Sequence, residues 1–139
     1  MDTDDSARLA QVAAENNPQA APYFYSYSMT SFDTTNDDNG NPVNPGMSSI
    51  FNGTETLVFK QASIRNAAGK IMLAEEPASN NSKDNPTGAS VINDGRWIPG
   101  PDPLTARHGG KANVTFADGH SGLVDSEFGD DTANSNPGL

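Results

Sequence analysis

The sequence predicts an α+β fold, with one N-terminal helix and a small antiparallel β-sheet that has long loops. Three observations support this prediction: a capped helical pattern at the start, several short runs with strand-like alternation, and long polar segments between them. The chain has 139 residues, which suits a single domain, 1–139, with one modest core. Hydrophobic residues make up only 34% of it, so much of its length is expected to be loop.

The predicted helix belongs to a lead-in that covers residues 1–17. An Asp-Asp-Ser run at 4–6 can cap it, and these acids lie near its positive end. Leu9 and Val12 fall on one face of the helix, and Pro18 follows its end. This pattern is the basis for the α part of the predicted fold.

The predicted strands follow at intervals along the chain. They cover residues 22–30, 55–60, 70–74, 91–92, 113–116 and 121–124. Polar loops are predicted at 33–49 and 77–88, and a Pro- and Gly-rich segment at 95–103 surrounds Trp97. Residues 128–139 are polar and are expected to form a flexible tail.

The last two predicted strands form a hairpin. Residues 113–116 alternate polar and apolar side chains, with Val114 and Phe116 on one face. Asp118-Gly119 lies between this run and 121–124, and such a pair favours a two-residue type I′ turn because both central residues need a positive φ.

A two-residue turn fixes the expected register of this hairpin. It places Ala117 opposite His120 and Val114 opposite Leu123. His108 precedes the first strand and is expected to enter from a loop at the end away from the turn. The two histidines of the chain are therefore expected at opposite ends of the hairpin.

The spacing from His108 across nine residues to Asp118-Gly119 resembles the H-X9-DG signature of prepilin-type, pseudopilin-like proteins. We call residues 107–120 the signature segment. The residues that match are Arg107, His108, Gly110, Asn113, Phe116, Asp118, Gly119 and His120. Weaker similarities lie upstream, in a Ser-Tyr run near residue 27 and in the acid-ended strand 70–76.

This resemblance implies a pseudopilin-like globular domain and a non-enzymatic structural role. Such subunits belong to type II secretion or type IV pilus-like systems, and their partners are other pilin-like subunits or secretion machinery. The implied location is periplasmic, cell-surface or extracellular, with membrane anchoring in the full-length form.

The sequence departs from the family pattern at its start. Members of the family begin with a basic leader and a long apolar helix, whereas no apolar run here approaches the roughly 18 residues of a membrane span. We interpret the chain as the globular domain without that helix, and a natural soluble relative is the alternative. The resemblance implies membrane attachment only through the missing helix. Because that helix also supplies polymerisation in such proteins, we expect this chain to be monomeric.

Composition excludes several functions. The formal net charge is −10, which disfavours nucleic acid and anionic membrane surfaces as partners because both would repel it. The chain has no cysteine, which excludes disulfides, thiol catalysis and cysteine-ligated zinc.

Three side chains of the signature segment are metal-ligand candidates. His108, Asp118 and His120 offer two imidazoles and a carboxylate, a common ligand set for a divalent metal. The structural alternative is that Asp118 builds the turn and His108 fixes the loop. The sequence does not require a cofactor. A divalent metal bound by these three side chains is the alternative to a protein without one.

Calcium is an alternative at two acidic segments. In the loop 33–41, an EF-hand alignment on Gly40 puts Thr35 and Gly46 where carboxylates are obligatory, so that motif is absent. A looser calcium loop remains open. The second acidic cluster lies near the C-terminus and comprises Asp125, Glu127, Asp130 and Asp131.

Catalysis has little support. Glu75-Glu76 ends a predicted strand, and the expectation is an acid that faces water or bonds the His108 loop. Two other function classes stay open. One is a glycan- or ligand-binding module that uses the aromatic residues Trp97, Tyr23, Tyr25 and Tyr27. The other is a metal-dependent hydrolase centred on the three metal-ligand candidates.

Overall fold

A computed structural model describes residues 27–32, 35–51, 54–77, 82–87 and 95–139. The strands are β1 Tyr27–Thr30, β2 Thr35–Asn36, β3 Pro42–Val43, β4 Ile50–Phe51, β5 Thr56–Leu57, β6 Ile71–Glu75, β7 Arg96–Trp97, β8 Ala112–Phe116 and β9 Ser121–Val124. One α-helix, α1, covers Ser126–Asp130, and 3₁₀ turns cover Gln61–Ser63, Ala67–Gly69 and Thr132–Asn134.

Five of these strands form the main sheet, in the order β7-β1-β6-β8-β9. Neighbouring strands are antiparallel except for β1 and β7, which are parallel. The pairs β2-β3 and β4-β5 form two small separate sheets. The long signature hairpin thus supplies one edge of the main sheet, and the two-residue β7 supplies the other.

The α+β prediction is wrong for the part of the chain that the structure describes, which is mostly sheet. Its single α-helix, α1, has five residues, and its other helical turns are of the 3₁₀ type. The predicted lead-in helix within 1–17 lies outside the described residues, as does the predicted strand 91–92. None of the described helices is long and apolar enough to cross a membrane.

The hairpin is present, but its predicted register is wrong by one residue. Phe116 N donates to His120 O at 2.8 Å, and Val114 lies opposite Gly122 rather than Leu123. The loop therefore has three residues, and within it only Gly119 has a positive φ, +95°. A type I turn followed by one left-handed residue gives this geometry.

The core lies on one face of the main sheet. Its buried apolar members are Ile71, Ala74, Trp97, Leu104, Ala112, Val114, Phe116 and Val124, with Phe128 packed against them. The predicted shared face of Val114 and Phe116 is confirmed, since both are buried. The three-residue turn is what brings Val124 onto this face and leaves Leu123 exposed.

The segment 128–139, for which the sequence predicts a flexible tail, makes hydrogen bonds to the rest of the domain. Arg65 N donates to Pro137 O at 2.8 Å, and Lys70 Nζ donates to Ala133 O. Ser135 is fully buried and Lys70 is 3% exposed. Phe128 packs against the core, and the polar remainder of the segment is joined to Arg65 and Lys70 by these hydrogen bonds.

Candidate functional site

The carboxylate of Glu75 is the centre of a polar cluster in the signature region. Glu75 ends β6, and its side chain is 6% exposed. The pairing of Ala74 with Val114 places the next residue, Asn113, opposite Glu75. Asn113 N donates to Glu75 Oε2 at 3.1 Å, and His108 Nε2 lies 2.9 Å from the same oxygen.

The Asn113 side chain links the imidazole to the carboxylate. Its Nδ2 lies 3.3 Å from Glu75 Oε2 and 3.0 Å from His108 Nε2. The imidazole is therefore oriented by two groups on neighbouring strands. Of the two expected positions for Glu75, the one in which it bonds the His108 loop is confirmed.

Arg107 joins the same cluster to two other segments. Its Nη1 lies 3.7 Å from Glu75 Oε1, and its Nη2 donates to Glu76 O at 3.0 Å. Its Nε donates to Asp84 Oδ1 at 3.2 Å. Thr105 Oγ1 donates to that same Asp84 oxygen at 2.5 Å. The guanidinium thus ties the end of β6 to the segment 82–87.

Backbone bonds complete this connection. Thr105 N donates to Glu75 O at 3.0 Å, and Ala106 N donates to Asp84 O at 2.8 Å. The chain then turns sharply through Gly109 and Gly110, whose φ angles of +68° and +88° favour glycine. We call this arrangement of Glu75, Arg107, His108, Asn113 and Asp84 the signature clamp, because it holds the loop before β8 onto β6.

Tyr27 lies beside the signature clamp. It pairs with Glu75 across β1 and β6, and its side chain is half-exposed. Partial burial raises the pKa of the Tyr27 hydroxyl above its usual value of 10.0, and the negative charge of Glu75 adds to this effect. Tyr27 therefore stays protonated at neutral pH and serves as a hydrogen-bonding group.

Asp118 and His120 form a separate pair at the turn. His120 Nδ1 lies 2.6 Å from Asp118 Oδ1, and His120 N donates to that oxygen at 3.1 Å. The backbone hydrogen bond from His120 lowers the pKa of Asp118, and the imidazole lowers it further. The His120 ring stacks on Phe116, with 4.3 Å between centroids.

The three metal-ligand candidates are not brought together. His108 contacts the start of β8, whereas Asp118 and His120 lie beyond its end, and a five-residue strand separates them by roughly 13 Å. In the described parts of the chain, no group of three or more His, Cys, Asp or Glu side chains is placed to hold a metal ion. The hydrolase alternative loses its predicted ligand set for the same reason.

Three aspartates of the acidic segments that suggested calcium have structural roles, namely Asp37, Asp125 and Asp131. Asp37 Oδ1 accepts from Asn39 N at 2.9 Å and from Asn41 N at 2.8 Å, which closes the β2-β3 loop. The backbone bond from Asn41 is the main reason that the pKa of Asp37 is lowered. Near the C-terminus, Asp125 caps α1 and Asp131 caps the following 3₁₀ turn.

Trp97 is fully buried, so it cannot stack on a glycan at the surface. Its Nε1 donates to Asp102 O at 3.0 Å, which satisfies its polar atom inside the core. Tyr23 and Tyr25 lie outside the described residues. Of the four aromatic residues in the glycan-binding alternative, only Tyr27 is both described by the structure and exposed.

Sequence reasoning missed Asp84 and Thr105. Asp84 is 23 positions from Arg107 and lies in a polar segment with no periodic pattern, so nothing local marks it as an ion-pair partner.

Arg107 and Lys83 also line an open cleft of about 640 Å³, together with Pro86 and the two glycines of the loop. Asp84 and Arg107 of the signature clamp both line this cleft.

Comparison of the chain with protein-family models, with curated proteins and with solved structures finds no match.

Proposed function

We propose that this chain is the globular domain of a pseudopilin- or pilin-like structural subunit of a type II secretion or type IV pilus-like system. The supporting observation is that the signature residues make contacts that build the fold. Arg107, His108 and Asn113 converge on Glu75, while Asp118 and Gly119 build the hairpin turn.

The chemistry of the signature clamp favours a structural role over catalysis. Glu75 is 6% exposed and receives a backbone N–H, an amide and an imidazole at one carboxylate oxygen. A general base needs a carboxylate or imidazole that reaches substrate. The Glu75 carboxylate is shielded from substrate, and the part-exposed His108 imidazole has its Nε2 engaged by Glu75 and Asn113. In the proposed role the domain coats a fibre and contacts neighbouring pilin-like subunits or secretion machinery, outside the cytoplasm.

The gene and the cell provide the test. We expect the region encoded upstream of Met1 to specify a basic leader, a prepilin peptidase site and an apolar helix. Antibodies against the chain should label surface fibres in electron micrographs of the cells that make it. An upstream enzyme domain, or label confined to the cytoplasm, would contradict the proposal.

A further inference from the structure

The outer edge of β9 carries backbone groups that point away from the sheet. β9 is the last strand of the main sheet, and Phe116 N donates to His120 O at its start. In an antiparallel pair every second residue bonds to the partner strand, so Gly122 and Val124 bond to β8. The N–H and C=O groups of Ser121 and Leu123 therefore point outward.

These outward groups are available for pairing. Over the described ranges, no hydrogen bond involves the backbone N or O of Ser121 or Leu123. The Leu123 side chain is 52% exposed. Natural edge strands are commonly protected by a lysine, a proline or a bulge, and the Ser-Gly-Leu-Val sequence of β9 has no such residue and pairs with β8 in regular register. The opposite edge, β7, has only two residues and is followed closely by Pro99.

The charge around β9 selects among possible partners. Asp118 lies before the strand, and Asp125 and Glu127 follow it, and all three side chains are exposed. Lys111 precedes Ala112, which pairs with Val124, so it lies toward Asp125 on the β8 side of the strand. Asp125 and Glu127 together still leave this end of β9 acidic. A second copy of the chain would bring the same acids and a net charge of −10, which opposes edge-to-edge pairing. A strand with basic ends meets no such repulsion.

We propose that the edge of β9 binds an extended peptide segment that has basic residues at both ends and an apolar residue against Leu123. The segment adds a sixth strand to the sheet, and its backbone bonds to Ser121 and Leu123. Its basic ends pair with Asp118 at one end and with Asp125 and Glu127 at the other. This binding site does not depend on the pilin-like role.

Nuclear magnetic resonance of the whole chain provides the test. The probe is a synthetic peptide of alternating threonine and valine with a lysine at each end. At millimolar peptide, hydrogen exchange of the Ser121 and Leu123 amides should slow by about tenfold or more, while Gly122 and Val124 change little because their amides already bond to β8. Unchanged exchange at Ser121 and Leu123 would overturn the proposal.

Four controls separate the backbone from the charges. Leu123→Pro removes an outward N–H, which an edge strand tolerates, so binding should be lost, whereas Leu123→Thr keeps that N–H and should bind more weakly. Ser121→Pro removes the other outward N–H and should also prevent binding. This variant provides the test if Leu123→Pro fails to fold. A peptide with glutamate in place of lysine should bind roughly tenfold more weakly. Equal binding of both peptides, or protection at Ser121 and Leu123 that rises with protein concentration alone, would contradict the proposal.

Discussion

At the scale of single residues, Glu75 connects the sequence signature to the sheet. The signature histidine and arginine precede β8, and their side chains need a partner on another strand to be fixed in place. Glu75 supplies that partner because it ends β6 directly opposite Asn113. A carboxylate at this position can accept the Asn113 N–H and also attract the side chains of Arg107 and His108. A neutral side chain would hold these two groups less strongly.

Replacing Glu75 by glutamine tests this role. The amide keeps the shape of the side chain but removes the charge near Arg107 and one of the acceptor oxygens. We expect the free energy of unfolding to fall by about 1.5–3 kcal/mol, the range for a buried hydrogen bond to a charged group. Urea unfolding measures this change. The exposed Asp130→Asn should change stability by less than about 0.5 kcal/mol, and an equal loss in both variants would contradict the role of Glu75.

Asp118 makes a prediction about pH. Hydrogen bonds from His120 lower the pKa of this carboxyl below its usual 3.8, so the folded state favours the ionised form. Its contribution to stability is therefore complete above about pH 3.8 and is lost as the pH falls through the lower folded value. The carboxyl carbon should titrate below 3.8 by nuclear magnetic resonance. In His120→Ala the pKa should rise only partway, because the backbone hydrogen bond remains. A midpoint at 3.8 in the native protein would contradict this assignment.

At the scale of elements, the signature hairpin shows why its strands were predictable but its register was not. The alternation of Val114 and Phe116 and the Asp-Gly pair locate both strands and the turn. The same Asp-Gly pair fits a two-residue loop and a three-residue loop, however, because both need a positive φ at glycine. The three-residue loop buries Val124 opposite Ala112, so packing of the core decides between them.

The contact of α1 with the core gives an element-scale prediction. A Cβ on Gly129 would lie 2.4 Å from Leu104 Cδ1 and 3.0 Å from its Cγ, and Leu104 is only 2% exposed. Gly129→Ala should therefore destabilise the fold by about 1–2 kcal/mol, although alanine favours a helix. The control is Gly122→Ala in β9, whose Cβ would meet Phe116 Cε2 at an ordinary 3.5 Å. That variant should be neutral in thermal unfolding, and a loss equal to that of Gly129→Ala would contradict the packing account.

At the scale of the whole molecule, the sequence predicted the individual long strands better than their assembly. β6, β8 and β9 each carry a local pattern that gives their position to within a residue. The central place of β6 and the parallel pairing of β1 with β7 depend on residues that are distant in sequence, so no local period reports them. The same limit applies to the signature clamp, where the sequence indicated Glu75 and His108 but not Asp84.

The C-terminal segment gives the last prediction, because a flexible tail and a docked tail respond differently to deletion. Removing residues 132–139 takes away the Ala133 and Pro137 carbonyls that accept from Lys70 Nζ and Arg65 N. Lys70 is 3% exposed, so its ammonium group would lose a partner inside the fold. We expect a loss of about 2–4 kcal/mol, the sum of one charged and one neutral hydrogen bond.

Thermal unfolding and amide exchange measure this effect. The deletion should lower Tm by roughly 8–16 °C, since about 4 °C accompanies each kcal/mol in a chain of this size. Exchange at the Arg65 amide should also become faster. Deleting only 138–139 removes two exposed residues and leaves both carbonyls in place, so that variant should keep the native Tm. If the longer deletion also keeps it, the segment behaves as the free tail that its composition predicts, and Arg65 and Lys70 need other partners.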